Sequence, residues 1–283
     1  TPAGPLFTGT LGADNYGNRF TGEGRATASL ALNSPLRLGD RANLWLAHST
    51  GADAVFGAYQ VPVGSNGLTL GVSGSYYRYD LCCQYAPLNR AGDAAVAGVQ
   101  ARYPLVLRQD ALAWAGLAFE RKRLSDTWIG GDLDDKRANV VTAAVDGIAA
   151  GLGGQVRYRV ATSGGDLELK GPADAIRINA ATVDTEGRYA KLWGSAEYTV
   201  PLARWNFLNL RVAGQMASRN LDSSEKFILG GFNGIRAYPE GEAAGDNAWL
   251  ARLDWVVPLT FAALPGKAAV RAFVDTGAVW VVD

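Results

Sequence analysis

The chain has 283 residues, a formal net charge of zero, 35 glycines and 10% aromatic residues. Balanced charge gives no basic surface for nucleic acid. The two cysteines, Cys82 and Cys83, are too few for a disulfide framework or a structural zinc site. No run of about 18 apolar residues exists, which excludes a transmembrane helix. Glycine and aromatic residues instead favour an all-β fold.

Alternation of apolar and polar residues with a period of two recurs along almost the whole chain. In residues 68–76, large apolar side chains alternate with threonine, glycine and serine. The same alternation predicts strands over 155–160, 208–212 and 249–255, and a last strand over 269–279. The strands run for about ten residues, closer to the nine to eleven of a membrane-spanning strand than to the five or six of a soluble one. Their length favours a barrel.

Prolines mark the ends of several apolar strands, at Pro35, Pro62, Pro104, Pro201 and Pro258. Proline is tolerated there because no ladder donor is needed. Short turns follow these prolines, whereas longer connections are predicted near 14–23, 80–93, 125–136, 163–187 and 218–245. Short turns on one rim and long loops on the other are typical of an outer-membrane barrel. We therefore predict one domain over 1–283, an antiparallel transmembrane β-barrel.

The pattern contains about 13 strands, whereas a single-chain bacterial barrel closes with an even number. An open edge in lipid leaves backbone groups unpaired at a large cost. We therefore expect further strands C-terminal to the chain.

The most unusual segment lies between two clearly patterned strands, at 229–246. It combines a glycine-dense turn, one arginine between apolar and aromatic neighbours, and an acidic tract of small residues. It is too rich in glycine for a helix and too irregular for a strand. Long loops inside an ordered domain are usually functional, so this loop is the first candidate site.

The loop and two other segments resemble the two-partner secretion transporters, a family of haemolysin activator and secretion proteins (FhaC/ShlB-like, TpsB) in the BamA-like superfamily. Ile235-Arg236-Ala237-Tyr238, preceded by Gly234, occupies the place of the VRGY/F motif, with alanine where glycine is usual. The segment from Phe273 to Gly277 matches F-x-D-x-G. Asp14-Asn15-Tyr16-Gly17, Thr21-Gly22 and the segment 34–40 are similar to the first hairpin and turn. The resemblance runs from about residue 12 to the end. It implies a barrel of about 16 strands when intact, with POTRA domains that are absent from this chain.

The resemblance also implies a task for the two main motifs. In such proteins the loop folds into the lumen, and its arginine, here Arg236, pairs with the aspartate of F-x-D-x-G, here Asp275, on the inner wall. Phe273, Asp275 and Gly277 share one face of the last strand, which permits this pairing. An arginine fork suits a bidentate carboxylate. We expect the pair to anchor the loop and to be needed for secretion.

Polar faces of the predicted strands supply candidate lumen-lining residues. We interpret them as a lining and not as a recognised site, since every porin has a polar lumen. They are Arg157, Arg159, Arg211, Arg252, Asp254 and Arg271.

No catalytic, metal or cofactor site is predicted. His48 is the only histidine and has no nucleophile motif around it. The acidic run 132–135 lacks the remaining positions of a calcium loop, and the glycines at 151–154 do not form a nucleotide loop. Cys82 and Cys83 are expected to be ordinary loop cysteines, with a strained vicinal disulfide as the alternative. Seven tryptophans are candidates for interface girdles: Trp45, Trp114, Trp128, Trp193, Trp249, Trp255 and Trp280.

The function implied by the resemblance is export, and activation, of a large β-rich partner exoprotein of the haemolysin, haemagglutinin or adhesin type (TpsA-like). The chain would lie in the bacterial outer membrane, in contact with lipid, without nucleic acid, nucleotide or cofactor. Two alternatives remain open: an assembly factor that inserts other barrels, and a passive porin or adhesin. The latter needs neither Arg236 nor Asp275.

Overall fold

The structure, a computed structural model, describes residues 5–128, 131–259 and 268–282, without the side chains of residue 128 and residues 131–133. Most of these residues form strands. In chain order the strands are β1 (Phe7–Asp14), β2 (Arg25–Asn33), β3 (Arg41–Ser49), β4 (Ala52–Val63), β5 (Leu68–Asp80), β6 (Ala91–Leu107), β7 (Ala111–Trp128), β8 (Gly131–Gly151), β9 (Gly154–Leu169), β10 (Gly187–Ala203), β11 (Asn206–Ala217), β12 (Phe227–Ile228), β13 (Ala244–Gly245), β14 (Asn247–Leu259) and β15 (Ala268–Trp280).

Helical segments occur only in connections within the described ranges. Helix α1 (Ala173–Ala181) lies between β9 and β10, and short 3-10 turns lie at Cys83–Leu88 and Ser223–Glu225. Among the described residues, no helix has the length and hydropathy needed to cross a membrane.

The long strands form one antiparallel sheet of 13 strands, which confirms the predicted all-β architecture and the predicted count. Consecutive strands are neighbours in the sheet, except that β14 follows β11. In the described part of the chain, the intervening β12 and β13 pair only with each other. Within the described residues β1 pairs only with β2, and β15 only with β14, so both edges of the sheet are open and the barrel is not closed.

The two faces of the sheet are inverted relative to a soluble protein. On β14, Leu253 and Trp255 are each 42% exposed, whereas Arg252 and Asp254 between them are 8% and 6% exposed. Neighbouring strands are in register, with Arg252 opposite Asp275 on β15, so the two polar faces coincide. Apolar side chains outward and charged side chains inward are the arrangement that a lipid-facing barrel requires.

Predictions about the connections were partly correct. The connections near 14–23, 80–93 and 218–245 are loops as predicted. The connections near 125–136 and 163–187 are shorter than predicted, because β7 extends to Trp128, β8 begins at Gly131 and β9 extends to Leu169. A ladder needs only backbone pairing, so strands extend beyond the stretch in which apolar residues alternate.

The turn between β2 and β3 shows how a short turn is fixed here. The Asp40 side chain is 2% exposed. It accepts hydrogen bonds from the amides of Leu36 and Leu38, at 3.2 and 3.1 Å, and from the hydroxyl of Tyr59 at 3.0 Å. The remaining predicted strand-end prolines lie within the last four residues of β4, β6, β10 and β14.

Tryptophans do not all form outward girdles. Trp249, Trp255 and Trp280 alternate with the inward residues of their strands and lie on the apolar face. Trp45 and Trp193 lie on the polar face, since Trp45 is opposite Ser29 and Trp193 is opposite Gln215. Period-two alternation does not tell which face an isolated tryptophan occupies when both faces contain aromatic residues. The side chain of Trp128 lies outside the described residues.

Contacts divide the chain into two compact units. The first contains β1–β5 with parts of β6–β10, and the second contains β11–β15 with the remaining parts of β6–β10. The first unit comprises Thr1–Tyr103, Gly116–Ala143 and Ser163–Ala190, and the second comprises Pro104–Ala115, Ala144–Thr162 and Lys191–Asp283. The candidate site described below lies wholly in the second unit.

Candidate functional site

The connection between β11 and β14, residues 218–246, is called the anchored loop here. Strands β12 and β13 pair to form the base of this loop. The residues between them form a compact tip, which is held by hydrogen bonds within itself. The amide of Gly231 donates to the carbonyl of Tyr238 at 2.9 Å, and the amide of Ile235 donates to the carbonyl of Leu229 at 2.7 Å. These bonds give the irregular segment a defined shape without helix or sheet.

Two glycines explain why the tip is rich in this residue. Gly231 has a φ of 98°, a conformation that side-chain-bearing residues rarely adopt. Gly234 has no room for a side chain, because an added Cβ would lie 1.8 Å from the carbonyl oxygen of Leu229. Both glycines are therefore required by the path of the backbone.

An apolar cluster seats the tip on the inner face of the sheet. Leu229 and Ile235 of the loop are buried with Leu250 of β14, and Val279 of β15 packs beside them. Gly277 leaves space for this contact, because an added Cβ would lie 2.9 Å from Leu229 Cδ1 and 2.6 Å from the Trp249 carbonyl oxygen. The glycine of F-x-D-x-G thus lets the loop approach β15 closely.

Arg236 joins the loop to the wall. Its backbone amide and Nε donate to Asp275 Oδ2 at 3.1 and 2.8 Å, and its Nη2 donates to Asp275 Oδ1 at 2.5 Å. The side chains are 13% and 4% exposed, respectively. One carboxylate therefore receives both the guanidinium fork and a backbone amide of the loop.

Three further wall residues complete the arginine's surroundings. Arg236 Nη1 donates to Asp254 Oδ1 on β14 at 2.7 Å. Its Cζ lies 3.9 Å from the centroid of the Phe273 ring, a cation–π contact. Arg252 on β14 lies beside the pair, with Nε 3.7 Å from Asp275 Oδ1 and Nη1 donating to the Phe232 carbonyl at 2.9 Å.

Charge at this centre is nearly balanced. Arg236 and Arg252 are matched by Asp254 and Asp275, all with side chains 13% exposed or less. Hydrogen bonding to Asp275, joined by Asp254, raises the pKa of Arg236 above its usual value, although burial acts in the opposite direction. In such a buried network, loss of one member leaves its partner unpaired at a substantial cost.

Comparison with known proteins identifies the family. The sequence matches the profile described as "Haemolysin secretion/activation protein ShlB/FhaC/HecB" over residues 2–282. The chain belongs to this family. The heme/hemopexin transporter protein HuxB of Haemophilus influenzae (strain 86-028NP) is 24% identical over 259 residues, 88% of this chain and 45% of the relative. The outer membrane transporter CdiB of Dickeya dadantii is 24% identical over 260 residues, 88% of this chain and 46% of the relative.

Solved structures agree in fold. CdiB from Escherichia coli superposes with a TM-score of 0.79 at 17% identity, over 97% of this chain and 52% of that one. BamA from Haemophilus ducreyi gives 0.64 at 13% identity, over 98% and 58%. The chain thus spans about half the length of the curated relatives it matches. The resemblance to two-partner secretion transporters is confirmed, and this ShlB/FhaC/HecB-family chain is an outer-membrane β-barrel protein. The family consists of transporters and not of enzymes.

Ala237 is the departure of this family member from the tetrapeptide motif. It is not among the residues with positive φ, so its backbone conformation does not demand glycine. Tyr238, which is 56% exposed, contributes mainly through its backbone, since its amide donates to the Ile235 carbonyl at 3.1 Å.

Sequence reasoning missed a buried aspartate at the end of the anchored loop. Asp246 has an exposure of 0%. Its Oδ1 accepts from the Leu221 amide at 2.9 Å and pairs with Lys226 Nζ at 2.9 Å, and its Oδ2 accepts from the Val282 amide at 3.1 Å. The sequence placed Asp246 only in an acidic tract, and nothing local distinguished it from a solvated residue.

A second missed pair fixes the start of the loop. Glu225, with a side chain 4% exposed, pairs through Oε2 with Lys191 Nζ of β10 at 2.7 Å. Gln215 of β11 donates through Nε2 to the backbone carbonyls of Glu225 and Asp246, at 3.1 and 3.0 Å. One side chain thus holds both ends of the anchored loop.

The structure separates the predicted lumen-lining residues into two groups. Arg211, Arg252, Asp254 and Arg271 surround one cavity of about 220 Å³ beside the loop tip. Arg157 and Arg159 lie on β9, are exposed, and do not line that cavity.

Residues given no site by the sequence analysis have ordinary surroundings. His48 Nδ1 lies 2.7 Å from Asp53 Oδ1 in an exposed pair. Cys82 and Cys83 are free thiols, so the vicinal disulfide is absent from the structure. Across the described ranges, no group of three or more His, Cys, Asp or Glu side chains is placed to hold a metal ion. The acidic run 132–135 falls partly outside the described side chains.

Proposed function

We propose that residues 1–283 form the barrel of a transporter that secretes, and activates, a large β-rich exoprotein by two-partner secretion. The exoprotein passes through the lumen as an extended chain, from the periplasm to the cell surface, without nucleotide. Family membership supports this function, and so does a sheet whose charged face points away from lipid. The observation that carries the proposal is the loop fastened to that charged face by Arg236.

The position of the loop is what makes it relevant to transport. Its tip packs on the inner faces of β14 and β15, where Leu250 and Gly277 meet Leu229. A polypeptide using the same lumen runs beside this tip, so the fastening determines how much of the path is free. We infer that the Arg236–Asp275 pair keeps the loop in the position that secretion requires.

The partner we propose is an exoprotein of the haemolysin, haemagglutinin or adhesin type. The relative HuxB is named for heme/hemopexin transport, which describes that protein. The second contact surface is membrane lipid, which the exposed apolar face of the sheet fits. The proposal requires no nucleic acid, nucleotide or cofactor.

A secretion assay tests the role of the pair. Arg236→Ala and Asp275→Ala are introduced into the intact protein, and release of the exoprotein encoded beside its gene is measured in the medium. Either change should abolish or strongly reduce secretion, because each leaves a buried charge without its partner. The matched control is Arg177→Ala, which removes an exposed pair with Asp174 on α1. Full secretion by either site variant at normal outer-membrane abundance would contradict the proposal.

A strain in which the gene is deleted, compared with these variants, separates the two alternative functions. An assembly factor predicts reduced amounts of other barrels in the outer membrane when the gene is deleted, with secretion of the neighbouring exoprotein unchanged. A passive porin predicts reduced uptake of small solutes, and no dependence on Arg236 or Asp275.

A further inference from the structure

A cavity of about 220 Å³ lies beside the tip of the anchored loop, on the charged face of the sheet. Its floor is formed by β10, β11, β14 and β15, and its lid by Phe232 and Asn233. Three arginines line it: Arg211, Arg252 and Arg271. This cavity is called the tip pocket below.

The arginines of the tip pocket differ in the hydrogen-bond and ion-pair partners that they have. Arg252 Nη1 donates to the Phe232 carbonyl and its Nε lies near Asp275, so it holds the tip in place. Arg271 is 54% exposed and only approaches Asp254, at 3.9 Å. The described part of the chain provides Arg211 with no hydrogen-bond or ion-pair partner, although Glu197 is opposite to it in the ladder. Two guanidinium groups therefore have donors to offer.

The carboxylates at the pocket are already engaged. Asp254 Oδ1 accepts from Arg236 at 2.7 Å, and Glu197 Oε1 accepts from Asn209 Nδ2 at 2.7 Å. Asn209 also donates to Thr199 Oγ1 at 2.9 Å. Within the described residues, Arg211 and Arg271 make no hydrogen bond to these carboxylates, so both guanidinium groups retain donors for an added anion.

The walls favour a carboxylate on an apolar stem. Phe207 and Val256 line the pocket together with Phe232, and suit the methylene groups of an aspartate or glutamate side chain. Two arginine forks suit the planar, singly charged carboxylate. A doubly charged phosphate would be repelled more strongly by the nearby carboxylates of Glu197 and Asp254.

The place of the pocket along the strands suits a passing chain. Phe207 is one residue after the start of β11 and Arg271 is three residues after the start of β15, so the pocket lies on the short-turn side of the Arg236 anchor. Short turns face the periplasm in outer-membrane barrels. A chain that enters from the periplasm meets the pocket before it reaches Arg236 and Asp275.

We propose that the tip pocket is a binding site for acidic side chains of the extended polypeptide in transit, with Arg211 and Arg271 as the binding residues. This site rests on the proposed secretion function for its natural ligand. Occupation brings a carboxylate next to Phe232 and Asn233 of the loop tip. The arriving polypeptide would thereby contact the loop directly.

Binding to the purified intact protein in detergent tests the site without any secretion step. The probe is a fluorescent extended peptide with two aspartates, compared with the same peptide carrying asparagines. Anisotropy should show wild-type protein binding the acidic peptide at least about tenfold more tightly, about 1.4 kcal/mol. The Arg211→Gln/Arg271→Gln protein should lose this preference. Arg159→Gln, an exposed arginine on β9 outside the pocket, should keep it.

Three results would overturn the site: no preference in the wild type, an unchanged preference in the double variant, or an equal loss in Arg159→Gln. Arg211→Lys/Arg271→Lys retains the charges and should recover part of the preference, which excludes misfolding as the cause of the loss. Inorganic phosphate is tested alone as a third probe. Arginine-dependent binding of phosphate without binding of the acidic peptide would assign the pocket to phosphate and overturn the carboxylate assignment. If deletion of the gene leaves release of the exoprotein unchanged while the purified protein keeps its preference for the acidic peptide, the proposed function is refuted and the binding site is retained.

Discussion

Asp275→Asn is the sharpest perturbation of the anchored loop, because it changes one atom type and leaves the side-chain volume almost unchanged. Asp275 accepts three hydrogen bonds from Arg236, at 3.1, 2.8 and 2.5 Å, with a side chain only 4% exposed. Asparagine keeps one acceptor oxygen, but its second terminal atom is a nitrogen that donates. That nitrogen cannot accept a hydrogen bond from the guanidinium of Arg236. Among the described residues, Arg236 then retains one carboxylate partner, Asp254.

The size of the effect follows from burial. Breaking a buried ion pair by removing one partner costs about 3–5 kcal/mol. Because Asp254 still holds Nη1, we expect the lower end, about 3 kcal/mol. Since about 1.4 kcal/mol corresponds to a factor of ten, release of the loop from the wall should increase about 100-fold.

Hydrogen exchange measured by mass spectrometry reports this release. The backbone amide of Arg236 donates directly to Asp275, so its exchange requires the loop to leave the wall. Because the exchange rate is proportional to the population of the released loop, the peptide that contains this amide should exchange about 100-fold faster. Asp174→Asn on α1 is the control, because its pair with Arg177 is 79–80% exposed and a surface pair contributes little. A change of less than tenfold at Arg236, or an equal change in the control, would refute the reasoning.

Three further predictions concern the supports of the loop and one turn. Gly277→Ala places a methyl group 2.6 Å from a backbone oxygen and 2.9 Å from Leu229, so thermal unfolding should show a loss of about 1–3 kcal/mol; an unchanged melting temperature would contradict the close packing. Asp246→Ala leaves Lys226 and two amides without their acceptor, and denaturant unfolding should show a loss of about 3–5 kcal/mol; a loss below 1 kcal/mol (about the level of a surface pair) would show that the site is solvated. Burial alone would raise the pKa of Asp40, but donors from two backbone amides and a tyrosine hydroxyl hold that pKa below its usual value. The stabilisation is therefore present above the ordinary aspartate pKa of about 4 and is lost as pH falls. The stability difference between the wild type and Asp40→Asn should accordingly shrink on titration from pH 7 to pH 3, and a constant difference would contradict this assignment.

The barrel architecture was predictable because lipid imposes a simple rule on every strand. One side must be apolar and the other polar, so alternation within a strand such as β14 reveals both the strand and its two faces. The same rule ceases to apply outside the lipid. It therefore placed the ends of β7, β8 and β9 too early or too late, since paired backbone continues there through polar residues. It also misplaced Trp45, which lies on the polar face.

For the candidate site, the sequence predicted the residues of the two family motifs but not which other residues surround them. Arg236 and Asp275 were paired through the family resemblance, 39 positions apart in the chain. Asp254 was predicted as lumen lining and is in fact a direct partner of Arg236. Asp246 was not singled out, although it is fully buried. A carboxylate in a loop has no sequence signal that tells whether solvent or a backbone amide surrounds it.

The amino-acid sequence by itself thus determined the strand pattern, the inverted faces and the glycine-dependent shape of the loop tip, because each depends on neighbours within a few residues. Tertiary structure decided where the loop lies, which carboxylates Arg236 contacts, and that Arg211 and Arg271 line one pocket. Those contacts depend on strand register and on the path of a loop across several strands, and charged pairs of this kind form only when distant segments are brought within a few ångströms.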